Sequence, residues 1–150
     1  MEMNEVTAYH LLHKTIENGY SGNNLRYDPY YDLGYYCYYR GRGTVIDYDE
    51  AIKYLTISHE NGNAVATSLI GTIYYNRNDH DQSFRWYALA ADAGETHAQY
   101  MLGLHYEFEY GIGQDLQQAQ IWYKRAAENN HQDAQERLQV LMGTADGGTE

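Results

Sequence analysis

Residues 98–134 read AQYMLGLHYEFEYGIGQDLQQAQIWYKRAAENNHQDA. Within them stand Ala98, Leu102-Gly103, Tyr106, a Gly111-x-Gly113 loop, Trp122-Tyr123 and Ala126-Ala127. The same landmarks occur upstream in the same order, as Ile70-Gly71, Tyr74, Trp86-Tyr87 and Ala90-Ala91. Trp86 and Trp122 lie 36 positions apart, and Tyr54 precedes Trp86 by 32. Self-similarity at a period of about 20–50 residues marks a repeat architecture, in which each unit buries its apolar face against its neighbours.

Aligned on their second helices, the copies agree without insertions. Asp47, Asp79 and Asp115 each precede a small residue (Ala51, Ser83, Ala119) by four positions. An Asp there is a natural N-cap, because its carboxylate accepts a backbone N–H and faces the positive helix end. An aromatic follows each small residue after three positions, namely Tyr54, Trp86 and Trp122, and Ser58, Ala90 and Ala126 come four further on. The helices then reach Gly62, Gly94 and Asn130, residue types that tolerate a left-handed C-terminal cap. In the first helices, Gly34, Gly71 and Gly103 mark close helix approach. A mid-helix Gly costs about 1 kcal/mol relative to Ala, so its recurrence calls for a packing reason.

This grammar resembles the Sel-one-like repeat family, relatives of the tetratricopeptide repeats. The fourth copy, residues 98–130, carries the motif almost throughout. The third replaces the Gly-x-Gly loop with residues 76–80. The second keeps Leu33-Gly34 and Gly41-x-Gly43, but has Cys37 where the Tyr is expected, Tyr54-Leu55 for Trp-Tyr and Ser58-His59 for Ala-Ala. The first copy is reduced to one helix ending at Asn18-Gly19. The resemblance implies an all-α, right-handed α-solenoid of about three full repeats plus a half repeat and a C-terminal capping helix. As a single domain over 1–142 it places helix pairs near 29–61, 64–93 and 96–129, with an opening helix at 5–18 and a capping helix at 132–142. The tail 143–150, GTADGGTE, lacks apolar residues and reads as disordered.

The opening helix has Val6, Tyr9, Leu12 and Ile16 at helical spacing. Residues 19–27, rich in Gly, Asn and Ser, follow as a loop. Gly19 to Gly34 spans 15 positions where Gly62 to Gly71 and Gly94 to Gly103 span 9, so six residues are inserted before the second copy. Pro29 suits the first turn of the next helix.

Residues 27–39 hold seven of the chain's 18 tyrosines: Tyr27, Tyr30, Tyr31, Tyr35, Tyr36, Tyr38 and Tyr39. One α-helical face cannot bury them all. With Tyr30, Leu33, Gly34 and Cys37 in step with the core, Tyr31, Tyr35, Tyr38 and Tyr39 fall on a second stripe. The family's geometry, in which first helices line a concave surface, turns that stripe toward a binding groove. Ser68, Thr72 and Tyr75 join it from the third copy, and Tyr100, Leu104 and Glu107 from the fourth, with Asp28 and Glu107 adding negative charge. Tyr is a frequent binding anchor, offering large contact area at small entropy cost. The competing reading is that Tyr simply replaces Phe in a chain with only 2 Phe.

The 150 residues carry 21 acidic and 10 basic side chains, a net charge of −11. Such a surface disfavours nucleic-acid backbones and anionic membranes and attracts a basic partner, although it equally serves solubility. Cys37 is the single cysteine, so no intramolecular disulfide forms, and a packed small residue is the expectation. No signal peptide is visible at the N-terminus and no 18-residue apolar run occurs, so the expectation, if the chain starts at its native Met1, is a cytoplasmic protein without membrane insertion.

The seven histidines (His10, His13, His59, His80, His97, His105, His131) include the pair His10 and His13 and the run Asp79, His80, Asp81. Neither finds third and fourth partners at a metal spacing, and no nucleophile elbow, P-loop or dinucleotide fingerprint is present. The two Gly-x-Gly loops join helix to helix as repeat turns. No catalytic residue, metal or cofactor is therefore assigned, and a metal-dependent hydrolase is the remote alternative. The expectation is a monomeric or weakly dimeric module that binds a basic protein in a Tyr-rich acidic groove. Its most concrete form is an immunity-type inhibitor of a toxin or enzyme, with an adaptor or assembly scaffold as the alternative.

Overall fold

The structure is a computed structural model that describes residues 4–20 and 27–146. Helices and turns account for them, and no strand occurs among the described residues. The helices are α1 (Glu5–Glu17), α2 (Pro29–Asp32) running into a π-helical segment (Leu33–Tyr39), α3 (Tyr48–Glu60), α4 (Ala64–Asn76), α5 (His80–Asp92), α6 (Thr96–Phe108), α7 (Leu116–Glu128) and α8 (Gln132–Asp146). The chain forms two compact units, Met1–Ile73 and Tyr74–Glu150.

Capping explains the helix starts. The carboxylates of Asp47 and Asp115 each accept two backbone N–H groups of the following turn, and that of Asp79 accepts one. Asn4, Asp28 and Glu95 do the same for α1, α2 and α6. Chain reversal after α3, α5 and α7 uses positive φ at Gly62 (90°), Gly94 (88°) and Asn130 (64°).

In the first unit, Ala51, Leu55 and Ser58 of α3 are buried beneath Leu33, Gly34 and Tyr38. A Cβ on Gly34 would lie 2.7 Å from Leu55 Cγ. In the second unit, Tyr87, Ala90, Ala91, Ala98, Met101, Leu102 and Trp122 form one core, and α8 closes a second made of Ala119, Tyr123, Ala126, Ala134 and Leu141. Here a Cβ on Gly103 would fall 2.5 Å from the Tyr123 ring. The aromatic landmarks Tyr54 and Trp86 are only half-buried, and the fully buried positions are those after the landmark: Leu55, Tyr87 and Tyr123.

Two expectations are corrected. Helix α8 continues to Asp146, so residues 143–146 are helical where a disordered tail begins in the sequence reading, while 147–150 lie outside the described residues. The inserted stretch 21–26 and the Cys37 side chain, expected to be packed, also lie outside them. The larger correction concerns residues 33–39. Asp47 follows Gly34 by 13 positions, whereas Asp115 follows Gly103 by 12. Both loops nevertheless close with the same hydrogen bond of 2.9 Å, Asp47 N–H to the Tyr38 carbonyl and Asp115 N–H to the Tyr106 carbonyl. Tyr38, and not Cys37, thus occupies the repeat's Tyr position. The one extra residue is absorbed in the helix as the π segment, where the Arg40 N–H reaches back five residues to the Tyr35 carbonyl (3.0 Å).

Candidate partner-binding surface

The π segment decides which tyrosines face inward. At about 100° per residue an α-helix would set Leu33 and Tyr38 about 140° apart. The wider turn brings both inside, and Tyr38 is buried. Its ring stacks on Tyr54 (5.5 Å between centroids, 6° between planes), and its hydroxyl shares hydrogen bonds with the Tyr9 hydroxyl (3.1 Å) and His13 Nε2 (3.4 Å). Burial raises its pKa, and the hydrogen bond with Tyr9 adds to the rise. Tyr38 therefore belongs to the interior and not to the exposed stripe in which the α-helical register put it.

The same change of register aligns other rings on the outside. Tyr31 stacks on Tyr35 (5.6 Å, 27°), Tyr35 stacks on Tyr39 (5.9 Å, 20°), and Tyr39 meets Tyr48 at the start of α3 (5.7 Å). Tyr36 packs edge-on against Tyr35 (4.8 Å). Tyr31, Tyr35 and Tyr39 are half-buried, while Tyr36 and Tyr48 are 41% and 40% exposed. Burial, with the neighbouring phenols and the carboxylates of Asp32 and Asp28, pushes the Tyr31 pKa up to about 12. The Tyr31 hydroxyl therefore stays a neutral hydrogen-bonding group at any physiological pH. Tyr48 extends a ladder that was read only from the first helix.

Asp28 does not offer its charge to a groove. Its carboxylate caps α2 through the N–H groups of Tyr30 and Tyr31 (3.1 Å each) and accepts from the Ser58 hydroxyl and from Asn63 Nδ2 (3.1 Å). Ser68 is buried as well, and Thr72 turns its hydroxyl back to the Ser68 carbonyl (3.2 Å).

The expected groove residues of the second unit are spread over separate clusters. Tyr75 packs against His80, His105 and Tyr110 at 5.4–6.0 Å. The His105 Nδ1–H donates to the Tyr110 carbonyl, and Nε2 shares a hydrogen bond with the Ser83 hydroxyl (3.2 Å). Burial lowers its pKa. Half-buried Tyr100 stacks on His131 (4.5 Å), and half-buried Leu104 packs against both cores.

Glu107 is the clearest reversal, at only 7% exposure. It accepts from the Tyr123 hydroxyl (2.6 Å) and pairs with Arg137 through Nε (3.2 Å) and Nη2. A buried carboxylate needs such partners, and it joins α6, α7 and α8. Tyr38, Ser68 and Glu107 are thus buried and Asp28 is tied into the fold, and the expected residues that lie together in one partly exposed cluster are Tyr31, Tyr35 and Tyr39, joined by Tyr36 and Tyr48.

Among the described residues no group of three or more His, Cys, Asp or Glu side chains is placed to hold a metal ion. No helix among them is long and apolar enough to cross a membrane.

Capped helix pairs of near-constant length, each with a small residue under the neighbouring helix, define an all-α repeat protein. Residues 30–63, 69–95 and 96–131 match the family described as Sel1 repeat, and the chain belongs to that family. It is 31% identical over 113 residues to chitin synthase regulator SKT5 of Saccharomyces cerevisiae, covering 71% of this chain and 16% of that protein. It is 26% identical over 100 residues to DAP3-binding cell death enhancer 1 of Rattus norvegicus, covering 65% and 20%. The chain therefore spans about a fifth or less of these curated relatives. Among solved structures it is similar to a Sel1 repeat protein from Oxalobacter formigenes, with TM-score 0.70, 32% identity and coverage of 89% and 98%. It is also similar to c5321, a protective antigen of uropathogenic Escherichia coli with an SLR fold, with TM-score 0.81, 25% identity and coverage of 97% and 30%.

Proposed function

We propose that this chain is a protein-interaction module that seats its partner on the tyrosine ladder of the first unit. The observation that carries the reading is the stacked, partly exposed row Tyr31, Tyr35, Tyr39 and Tyr48, which lies outside the buried core. Stacked rings are held in one orientation before a partner arrives, so little side-chain entropy is lost on contact. The net charge of −11 favours a basic partner and speeds its encounter. In its most concrete form the module is an immunity-type inhibitor that covers a basic toxin or enzyme. The second reading is an adaptor or regulatory scaffold. It is favoured by the relatives' own names, one a chitin synthase regulator and another DAP3-binding.

The test compares the tagged chain with its Tyr35→Ala/Tyr39→Ala variant in capture from the source lysate, beside a charge-matched acidic control. The expected result is one basic protein held by the native chain and lost by the variant. Suppression of that protein's activity supports the inhibitor, and retained activity supports the adaptor. Equal capture by the variant removes the ladder from the reading.

A further inference from the structure

A pocket of about 400 Å³ opens in the first unit beside α1 and the α2–π element. Small-molecule sites run from about 300 to 1,000 Å³ and combine apolar walls with a few polar groups. Here Ala8, Leu12, Tyr27 and Tyr36 supply apolar surface, and Glu5, Asp32 and Arg42 supply charge. Tyr36, which packs edge-on against Tyr35, is shared with the partner-binding face, whereas the stacked rings Tyr31, Tyr35 and Tyr39 do not line the pocket.

Among the described residues the charges are not balanced. Arg42 is already engaged, with its Nε 4.0 Å from the Glu5 carboxylate and its guanidinium 5.5 Å from the centroid of the Tyr36 ring. Asp32 differs. It is half-buried on the pocket wall, burial and the neighbouring Asp28 carboxylate raise its pKa, and no cation among the described residues acts to lower it. A carboxylate held against apolar surface without a counter-charge gains most from a ligand that brings one, because a charge-assisted hydrogen bond strengthens as water is displaced.

We propose that this pocket binds a small organic cation, a primary ammonium on an aromatic stem, with the ammonium on Asp32 and the stem against Ala8, Leu12 and Tyr36. An anionic ligand would meet two carboxylates against one arginine. A neutral one would leave Asp32 without compensation. The aromatic stem matches the ring-and-leucine wall and fits the volume.

The probes are 2-phenylethylamine, its neutral counterpart 2-phenylethanol and its anionic counterpart phenylacetate, each titrated at neutral pH into the isotopically labelled full chain. The amine shifts the amides of Ala8, Leu12 and Tyr36 and binds about tenfold more tightly than the alcohol, a difference of about 1.4 kcal/mol. Phenylacetate binds most weakly. Asp32→Asn brings the amine to the affinity of the alcohol and leaves alcohol binding and helicity unchanged. The proposal is overturned if amine and alcohol bind alike, if phenylacetate binds as tightly as the amine, if the shifts fall elsewhere, or if no probe binds at its solubility limit. The three-probe comparison on the native chain decides the matter even if the variant fails to fold. No arm uses a protein partner, so the result is independent of the ladder.

Discussion

The first helix of the second copy and that of the fourth do the same packing job with chains that differ by one residue. From Gly103 to Asp115 the chain needs 12 steps, and α6 is regular to Phe108. From Gly34 to Asp47 it takes 13, and the helix widens into a π segment over Leu33–Tyr39. Glycine under the neighbouring helix, the inward tyrosine and the closing Asp-to-Tyr hydrogen bond are preserved in both. The outward face is what differs. The fourth copy presents Phe108 and Tyr110 with a tilted contact at 5.9 Å, whereas the second presents a row of stacked tyrosines. An insertion that would ruin a core by rotating every later side chain is confined to one turn, and the surface receives the change. π-Helical turns recur at functional sites for this reason, since they re-aim side chains while the flanking packing stays in place.

The largest effect that tests this comparison comes from two adjacent tyrosines. Tyr38→Ala removes a buried ring stacked on Tyr54 and bonded to Tyr9 and His13, and costs about 3 kcal/mol or more. Tyr39→Ala removes a half-buried surface ring and costs about 1 kcal/mol or less. Urea unfolding followed by helical circular dichroism measures both. Similar costs at the two positions, or the reverse order, would show that the helix is α-helical here and that the ladder is misassigned.

A smaller contrast lies in the paired glycines. At Gly103 an added methyl meets Tyr123, whose ring is fully buried and whose hydroxyl is held by Glu107, so the ring has nowhere to go. Overpacking of this kind costs about 1–3 kcal/mol and is offset by about 1 kcal/mol of helix propensity; with a contact this close the upper end applies, leaving Gly103→Ala destabilised by about 2 kcal/mol. At Gly34 the added methyl meets Leu55 Cγ at 2.7 Å and the Ala51 carbonyl oxygen at 3.2 Å, both wider than the 2.5 Å contact at Gly103, and the net cost of Gly34→Ala is about 1 kcal/mol or less. If Gly34→Ala proves the costlier change, the π segment is the more tightly packed of the two helices and the comparison must be inverted.

The second helices were fully legible because their information is local: an Asp cap, a small residue four positions later, and a Gly or Asn at the end. The binding surface was legible only in part, for two physical reasons. A residue inserted inside a helix leaves composition and hydrophobic pattern almost unchanged, so Cys37 falls where Tyr38 belongs. The signal that reveals it is the 13-residue interval between Gly34 and Asp47, set against 12 in the fourth copy. Glu107, for its part, looks like any carboxylate on a helix until Arg137, thirty positions later, is folded against it. A contact at that separation has no trace in the local pattern. The hydrogen bonds of Asp28 with Ser58 and Asn63 were hidden for the same reason.

Deleting Cys37 is the finest test, because it should change the surface and almost nothing else. The shortened chain restores the 12-step interval, and Tyr38 then stands three residues after Gly34, as Tyr106 stands after Gly103. A regular α-helix can replace the π segment, so helicity is retained and stability stays within about 1 kcal/mol of the native chain. Tyr31 and Tyr35 precede the deletion and keep their stack. Tyr39 becomes the third residue after Tyr35 instead of the fourth, which at about 100° per residue keeps it on the same helix face but turns it about 60° from Tyr35, so the Tyr35–Tyr39 stack must re-form in another geometry. Partner capture should then fall between that of the native chain and that of the Tyr35→Ala/Tyr39→Ala variant, while the thermal melt stays close to native. A deletion that unfolds the first unit would mean that the extra residue serves the core. One that folds and still binds its partner at full strength would mean that the π segment is a tolerated accident of length that the tyrosine row does not need.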